Sequence, residues 1–289
     1  MVMTTQILEG ISLRNSTIER LSTKIKLLSV QPTLAVIQIG NLADSTAFIK
    51  AKKAFGDKIG ARVTHTILPD KIKMDGVVAL IKKLNADSSV QGILVQLPLP
   101  SHLDKHTIID TIDPKKDVDG LTSTHTQELW EDGSDIILPA TARGILALLD
   151  HYNIQVEGKK VVVVGRSTLV GKPTAIALLN RNATVIICHR GTENLKEETR
   201  RADILIVAIG KAKFINKDFV RSGQVVIDVG INITSESKPR QEVGKKSFVG
   251  DVDFEEVSKI VSAISPVPGG VGAMTVASLF ENLLDIVEK

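Results

Sequence analysis

Short apolar runs recur along the chain, separated by charged stretches whose apolar positions return every three or four residues. Thr33–Ile39, Val63–Leu68 and Gly92–Leu97 read as strands, and the intervening segments 45–59 and 76–84 read as helices. In the third run, Ile93, Leu94, Val95 and Leu97 leave no polar face, as in a strand covered on both sides. A second series follows at Lys160–Val164, Ala183–Cys188, Ile204–Ile209 and Val225–Val229, with helical Lys172–Leu179 between its first two members and a short piece at Asp218–Val220. The pattern predicts an α/β protein of two α/β domains, the second Rossmann-like. The Asp-, Thr- and Lys-rich segment 113–134 and the helical stretch Thr141–His151 mark the boundary. The last stretch, Ala273–Val287, follows the turn at 266–270 and reads as a helix returning to the first domain. The expected division is 1–138 with 273–289, and 139–272.

Composition narrows the function classes. The 289 residues carry a net charge of +3 with acids and bases interspersed, and aromatics are only 3%, which argues against a nucleic-acid surface. The single Cys188 excludes an intrachain disulfide framework, and residues 1–16 lack the basic start and apolar core of a signal peptide, so the cytoplasm is the expected compartment. No apolar run approaches the roughly 20 residues needed to cross a bilayer. No internal repeat or low-complexity tract is present.

The stretch VVVVGRSTLVGKPTAIALL, 161–179, joins a buried strand to a helix start through a glycine-bearing turn. Gly165 permits the turn, Gly171 permits close backbone approach, and free amides at the helix start favour a pyrophosphate. The pattern is G-x-S-x-x-x-G, with Ser167 in place of the second glycine of the dinucleotide fingerprint. The next strand ends in His189 and Arg190 where an NAD-selecting acid would stand. Arg166 and Arg190 can therefore clamp a 2′-phosphate, which points to NADP; read singly, each is equally consistent with a solvated surface arginine. The segment from Gly165 to Leu169 lacks the second glycine of a nucleophile elbow. His102 and His106 lack the H-E-x-x-H acid, so surface histidines are expected and no metal. Cys188 reads as a small core residue.

In the first domain, Ser45 is a candidate helix cap, and Phe48, Ala51, Phe55 and Ile59 a candidate apolar stripe. At about 100° per residue, Lys52 falls roughly 40° from Phe48 and 60° from Phe55, on the edge of that stripe. An isolated lysine there would snorkel; a buried polar partner would instead shift its pKa toward acid–base work. Gln96, stopped by Pro98 and Pro100 at the carboxyl edge of the sheet, is the candidate partner. The string DPKKDVDG, 113–120, reads alone as a solvated turn, but its position allows a carboxylate to hold an N–H-rich substrate ring.

Together the 45–52 helix, GILVQLPLP, PKKDVDGL, VVVVGRSTLVGKP and SPVPGGVGAMTVA resemble, in this order, the bifunctional methylenetetrahydrofolate dehydrogenase/methenyltetrahydrofolate cyclohydrolase family. The resemblance implies NADP-linked oxidation of 5,10-methylenetetrahydrofolate, hydration of the methenyl product to 10-formyltetrahydrofolate, a folate cleft between the domains, and a homodimer. It implies Lys52 as the catalytic lysine, Gln96 as the residue that orients it and Asp119 as the pterin-binding aspartate. It also implies that Pro268, Gly269 and Gly270 wall the folate cleft and that Ile231 joins Gly165, Arg166, Ser167, Gly171, His189 and Arg190 around the cofactor. The sequence departs from the family pattern at Phe48, where a tyrosine is usual, and at His125, Ala140, Ala142 and Ala273. A dehydrogenase with weakened cyclohydrolase, another NADP-linked dehydrogenase of small acids and a catalytically idle folate or nucleotide binder remain alternatives.

Overall fold

The computed structural model describes residues 5–133, 136–234 and 247–289. In chain order the elements begin with β1 (Gln6–Ile7), α1 (Gly10–Lys26), β2 (Thr33–Ile39), α2 (Ala43–Ile59), β3 (Arg62–Leu68), α3 (Met74–Ala86), β4 (Gly92–Val95), α4 (Lys105–Asp110) and α5 (Ser123–Trp130). They continue with α6 (Ala140–His151), β5 (Lys160–Val164), α7 (Gly171–Leu179), β6 (Thr184–Cys188), α8 (Leu195–Arg201), β7 (Ile204–Val207) and β8 (Val225–Asp228). The last are β9 (Asn232–Thr234), β10 (Ser247–Val249), α9 (Phe254–Val257), β11 (Ala263–Ile264) and α10 (Val271–Glu288). The chain divides into two compact units, one of Asn15–Ala140 with Val276–Lys289, the other of Met1–Arg14 with Thr141–Thr275.

In the first unit three parallel strands run in the order β3-β2-β4. The central strand β2 is buried along its whole length, so its one polar side chain inside the strand, Gln38, must find partners. It donates to the carbonyl of Gly40 at 3.1 Å and to Thr46 Oγ1 at 3.3 Å, and its Oε1 lies 3.0 Å from His65 Nε2. Phe280 of α10 stacks on Phe55 of α2 with ring centroids 5.1 Å apart. Gly56 lies against Val63, where an added Cβ would come within 2.7 Å of a methyl group.

Two local expectations for α2 change. The helix starts at Ala43 with Leu42 at its N-cap, so Ser45 is a buried residue of the first turn rather than the cap. Phe48 and Ala51 are exposed, and the buried face is Ser45, Ile49, Phe55 and Ile59. Ile49 replaces Phe48 because the sheet-facing stripe follows the i, i+4, i+7 spacing set by Ser45. The same rotation brings Lys52 from the edge of the stripe to its middle.

In the second unit six parallel strands run in the order β1-β11-β8-β7-β5-β6. Strand order reverses at β5, whose neighbours are β6 on one side and β7 on the other, and ligands bind at such a switch point outside the carboxyl ends of the strands. Residues 5–9, which the sequence reading groups with the first domain, sit with this sheet. The amides of Gln6 and Leu8 donate to Ser262 and Ile264 at 2.8 and 2.9 Å, and Tyr152 Oη exchanges hydrogen bonds with the backbone of Glu9. Segment 113–134 holds the helix α5, capped by Thr122, in place of a plain linker. No helix among the described residues is long and apolar enough to cross a membrane.

Candidate active site and cofactor seat

Strand β4 ends at Val95, two residues before the predicted limit, as the chain turns into a cis Leu97–Pro98 peptide. Gln96 keeps a backbone bond to Ile37 O at 2.8 Å and donates its side-chain amide to Leu97 O at 2.9 Å. That donation fixes the amide, so its Oε1 is the free acceptor, and Lys52 Nζ donates to it at 2.7 Å. Burial pulls the Lys52 pKa below the ordinary lysine value of 10.5, while the nearby Asp119 carboxylate pulls it back up. Burial likewise pushes Asp119 up to about 6, against the favourable field of Lys52 and with an adverse contribution from Asp117. A half-buried amine, an amide that orients it and a carboxylate whose pKa burial raises to about 6 are thereby brought together at the carboxyl edge of one sheet.

The two aspartates of DVDG have separate work. Asp117 is buried and accepts from the amides of Asp119 at 3.1 Å, Gly120 at 3.0 Å and Thr122 at 2.8 Å. Gly120 has φ +64, and a Cβ there would lie 2.2 Å from Ile137 O. Asn282 of α10 donates to the carbonyls of Val118 and Leu138, both at 2.8 Å. Asp117 and Asn282 thus fix the loop from which Asp119 projects. Phe48, one turn before Lys52, is 49% exposed. Pro268, Gly269 and Gly270 lie in the other unit, where the Gly10 amide donates to Gly269 O at 2.8 Å.

In that unit the turn after β5 is packed tightly against neighbouring backbone through its glycines. Gly165 has φ +129, and a Cβ on it would stand 2.2 Å from Ala208 O; a Cβ on Gly171 would stand 2.2 Å from Gly165 O. Ser167 Oγ accepts from the amides of Val170 at 3.2 Å and Gly171 at 3.4 Å, holding the turn. Because Val164 and Cys188 are register partners, Arg166 and Arg190 each follow the end of adjacent strands by two residues. Both are exposed, and neither guanidinium has a partner among the described residues. His189 is half-buried, its Nδ1 accepting from the Gly191 amide at 3.0 Å. Ile231, just beyond β8, is 47% exposed. The glycine cradle and the two unpartnered cations fit a dinucleotide that carries an additional phosphate.

Two family models cover most of the chain: the tetrahydrofolate dehydrogenase/cyclohydrolase catalytic domain matches residues 8–119, and the NAD(P)-binding domain of the same family matches residues 139–289. The chain belongs to the tetrahydrofolate dehydrogenase/cyclohydrolase family. It is 48% identical over 271 residues to the bifunctional protein FolD of Acholeplasma laidlawii, covering 94% of each chain. The crystal structure of the bifunctional FolD enzyme of Campylobacter jejuni superposes with a TM-score of 0.92 at 42% identity, covering 98% of this chain and 99% of that one. The Trypanosoma brucei FolD enzyme, solved in complex with NADP cofactor and inhibitor, matches with a TM-score of 0.91 at 31% identity over 98% and 97% of the two chains.

Against the family pattern, His125 is buried, with Nδ1 3.0 Å from Glu128 Oε2 and Nε2 2.9 Å from Pro114 O, so it ties α5 to the turn before Asp117. Ala140 and Ala142 are buried at the start of α6, and Ala273 is half-buried near the start of α10. Sequence reasoning missed two buried aspartates on the cofactor unit, Asp228 and Asp251. Asp228 accepts from the amides of Gly230, Asp251 and Val252 at 2.9 to 3.0 Å, and burial pushes its pKa up to about 7. The available signal was an acid inside an apolar strand, VVIDVG, which calls for an internal partner. Cys188 is buried, and burial pushes its thiol pKa up, as suits a core residue.

Proposed function

We propose that this enzyme oxidises 5,10-methylenetetrahydrofolate with NADP and hydrates the resulting methenyl cation to 10-formyltetrahydrofolate. When bound, NADP supplies the hydride acceptor. The folate nitrogen lone pair assists departure of the hydride, so the first step asks the protein for positioning more than for an acid or base. The hydration step needs a proton relay. Lys52 in its neutral form takes a proton as water oxygen bonds to the methenyl carbon, then returns one to the folate nitrogen as the carbon–nitrogen bond breaks and the formyl group forms. Gln96 aims the amine, and ionised Asp119 holds the N–H-rich pterin edge. Phe48 contributes no hydroxyl to this relay, so we expect dehydrogenase activity beside a cyclohydrolase weaker than in ordinary family members.

The observation that carries this reading is the 2.7 Å hydrogen bond from Lys52 Nζ to Gln96 Oε1, formed by an amine whose pKa burial lowers. Arg166 and Arg190 grip the 2′-phosphate, while Gly165, Ser167, Gly171, His189 and Ile231 surround the rest of the cofactor; Pro268, Gly269 and Gly270 contact folate. The product serves one-carbon transfer, including purine biosynthesis, in the cytoplasm. A homodimer is supported by β3, an edge strand with Ile67 55% exposed, which offers an unpaired ladder to a second copy. The test is a spectrophotometric assay of methylenetetrahydrofolate with NADP or NAD, repeated with preformed methenyltetrahydrofolate. Turnover of both folates supports the proposal, and turnover of neither refutes it.

A further inference from the structure

On the cofactor unit, the loops that leave β7 and β8 are held by a single buried side chain. Asp251 Oδ2 accepts from the amides of Ile209 at 2.7 Å and Gly210 at 2.9 Å, and its Oδ1 accepts from the Lys211 amide at 2.8 Å and from Asn232 Nδ2 at 2.9 Å. Four donors therefore converge on one carboxylate, filling the acceptor sites it has. Three belong to consecutive amides just beyond β7, and the fourth belongs to the residue after Ile231. Asp251 is in turn fixed by donating its own amide to Asp228 Oδ1 at 3.0 Å. Space for the pair is made by glycines. A Cβ on Gly230 would stand 2.2 Å from the Asp251 carboxyl carbon, and one on Gly250 would stand 1.7 Å from Asp228 Oδ2.

The placement gives this brace a function. The strand order reverses at β5, and Ala208, next to Ile209, packs its carbonyl against Gly165 of the phosphate turn. A dinucleotide lying across this switch point puts its adenosine half over the β6 side, where Arg190 stands, and its other half over β7 and β8. The loops that Asp251 braces are the walls for that other half.

We propose that Asp251 is a positioning residue for hydride transfer, holding the 209–211 amides and the 231–232 turn so that the nicotinamide ring of NADP lies at a fixed distance and angle. This rests on the NADP-linked dehydrogenase reading above. Asp251 touches neither substrate nor cofactor; it acts through the loops. Grip on the cofactor resides at the opposite end, with Arg166, Arg190 and the glycine cradle, so loosening the brace affects reaction geometry more than affinity.

The test compares wild type, Asp251→Asn and Asn232→Leu in four measurements: NADP binding by calorimetry, amide hydrogen exchange at 209–211, dehydrogenase turnover, and hydration of preformed methenyltetrahydrofolate. Asparagine is isosteric, but its NH2 faces amides that need an acceptor. Exchange at 209–211 should accelerate, and dehydrogenase kcat should fall by about 10- to 100-fold, the scale of a misplacement of order 1 Å. The NADP Kd should change by less than about 3-fold, and hydration, which needs no hydride acceptor, should stay within about 2-fold. Asn232→Leu removes one donor to Asp251, together with a longer 3.4 Å bond to Val249 O, and leaves the three amides their acceptor, so it keeps the proposal testable if Asp251→Asn does not fold. It should lower dehydrogenase kcat by about 3- to 10-fold, with the same separation from Kd. The proposal is overturned if NADP affinity falls as far as kcat, if both activities fall in parallel, or if kcat is unchanged. A wild type that binds no NADP would instead refute the dehydrogenase reading on which it rests.

Discussion

Replacing Gln96 with leucine isolates the role of the amide without touching the amine. In the wild type Lys52 Nζ donates to Gln96 Oε1 at 2.7 Å, and the amide is held in place by its own bond to Leu97 O. A hydrogen bond to a charged group contributes about 1.5–3 kcal/mol. Because that bond favours the ammonium form, losing it should lower the Lys52 pKa further than burial already does. A group whose neutral form is the base gives a rate that rises with pH and levels off above its pKa. The plateau in Gln96→Leu should therefore begin at a lower pH than in wild type. Its height should be reduced by about 10- to 100-fold, because the amine is no longer aimed. The assay is hydration of chemically prepared methenyltetrahydrofolate, followed by loss of its absorbance across pH 6 to 10. A profile with the wild-type midpoint and more than half the wild-type plateau would refute the pairing, whatever the dehydrogenase does.

Lys52→Met should reduce hydration by about 10²- to 10⁴-fold while NADP binding, measured by calorimetry, remains near wild type. Arg166→Ala and Arg190→Ala should each weaken NADP by roughly 10- to 150-fold and leave NAD almost unaffected, read as separate KM values for the two cofactors. Phe48→Tyr should raise hydration relative to hydride transfer; if neither rate rises, the hydroxyl has no place in this cleft. Asp119, with its pKa pushed up to about 6, should lose its ability to accept from the pterin as pH falls through that value, so the folate KM should rise below pH 6 and become flat with pH in Asp119→Asn. The linkage sign is fixed by the same shift: between the usual 3.8 and about 6 the folded state binds more protons than the unfolded state, so stability declines as pH rises through that window. Asp119→Asn should accordingly be more heat-stable than wild type at neutral pH while binding folate less well, which a melting curve at pH 5 and pH 7.5 would separate.

The legible parts of this molecule are those in which one side chain's surroundings are written nearby in the chain. The apolar runs predict β2 and β5 at their observed limits because a strand buried on both faces tolerates little else. The glycine turn is legible for the same local reason, since Gly165 and Gly171 stand against backbone atoms that a Cβ would strike. The phase of α2 is not legible because exposed Phe48 and Ala51 are apolar in sequence, whereas the sheet selects Ser45, Ile49 and Ile59. Lys52 survives the error, since either phase puts it on the buried side. Short β1 and β11 carry no period of their own, and they exist because residues 6–8 find unpaired backbone at 262–264. No pattern could attach the N-terminus to a partner more than 250 positions away.

Polar residues divide along the same line, and the division explains why some functional residues can be read and others cannot. Gln96 declares itself because an amide in an apolar run requires a partner, and its partner lies on the adjacent helix. Asp117 and Asp119 are two positions apart in one motif, yet only folding separates the carboxylate that saturates three backbone amides from the one left to answer to Lys52. Asp251 is harder still. Its acceptor capacity is filled by amides 40 to 42 residues earlier in the chain and by Asn232, so nothing local distinguishes it from Asp253, which caps α9. A buried carboxylate whose acceptor sites are filled by three backbone amides and one side-chain amide has no capacity left for a ligand. What it can still govern is where that backbone stands, which is the role we propose for Asp251 at the carboxyl ends of β7 and β8.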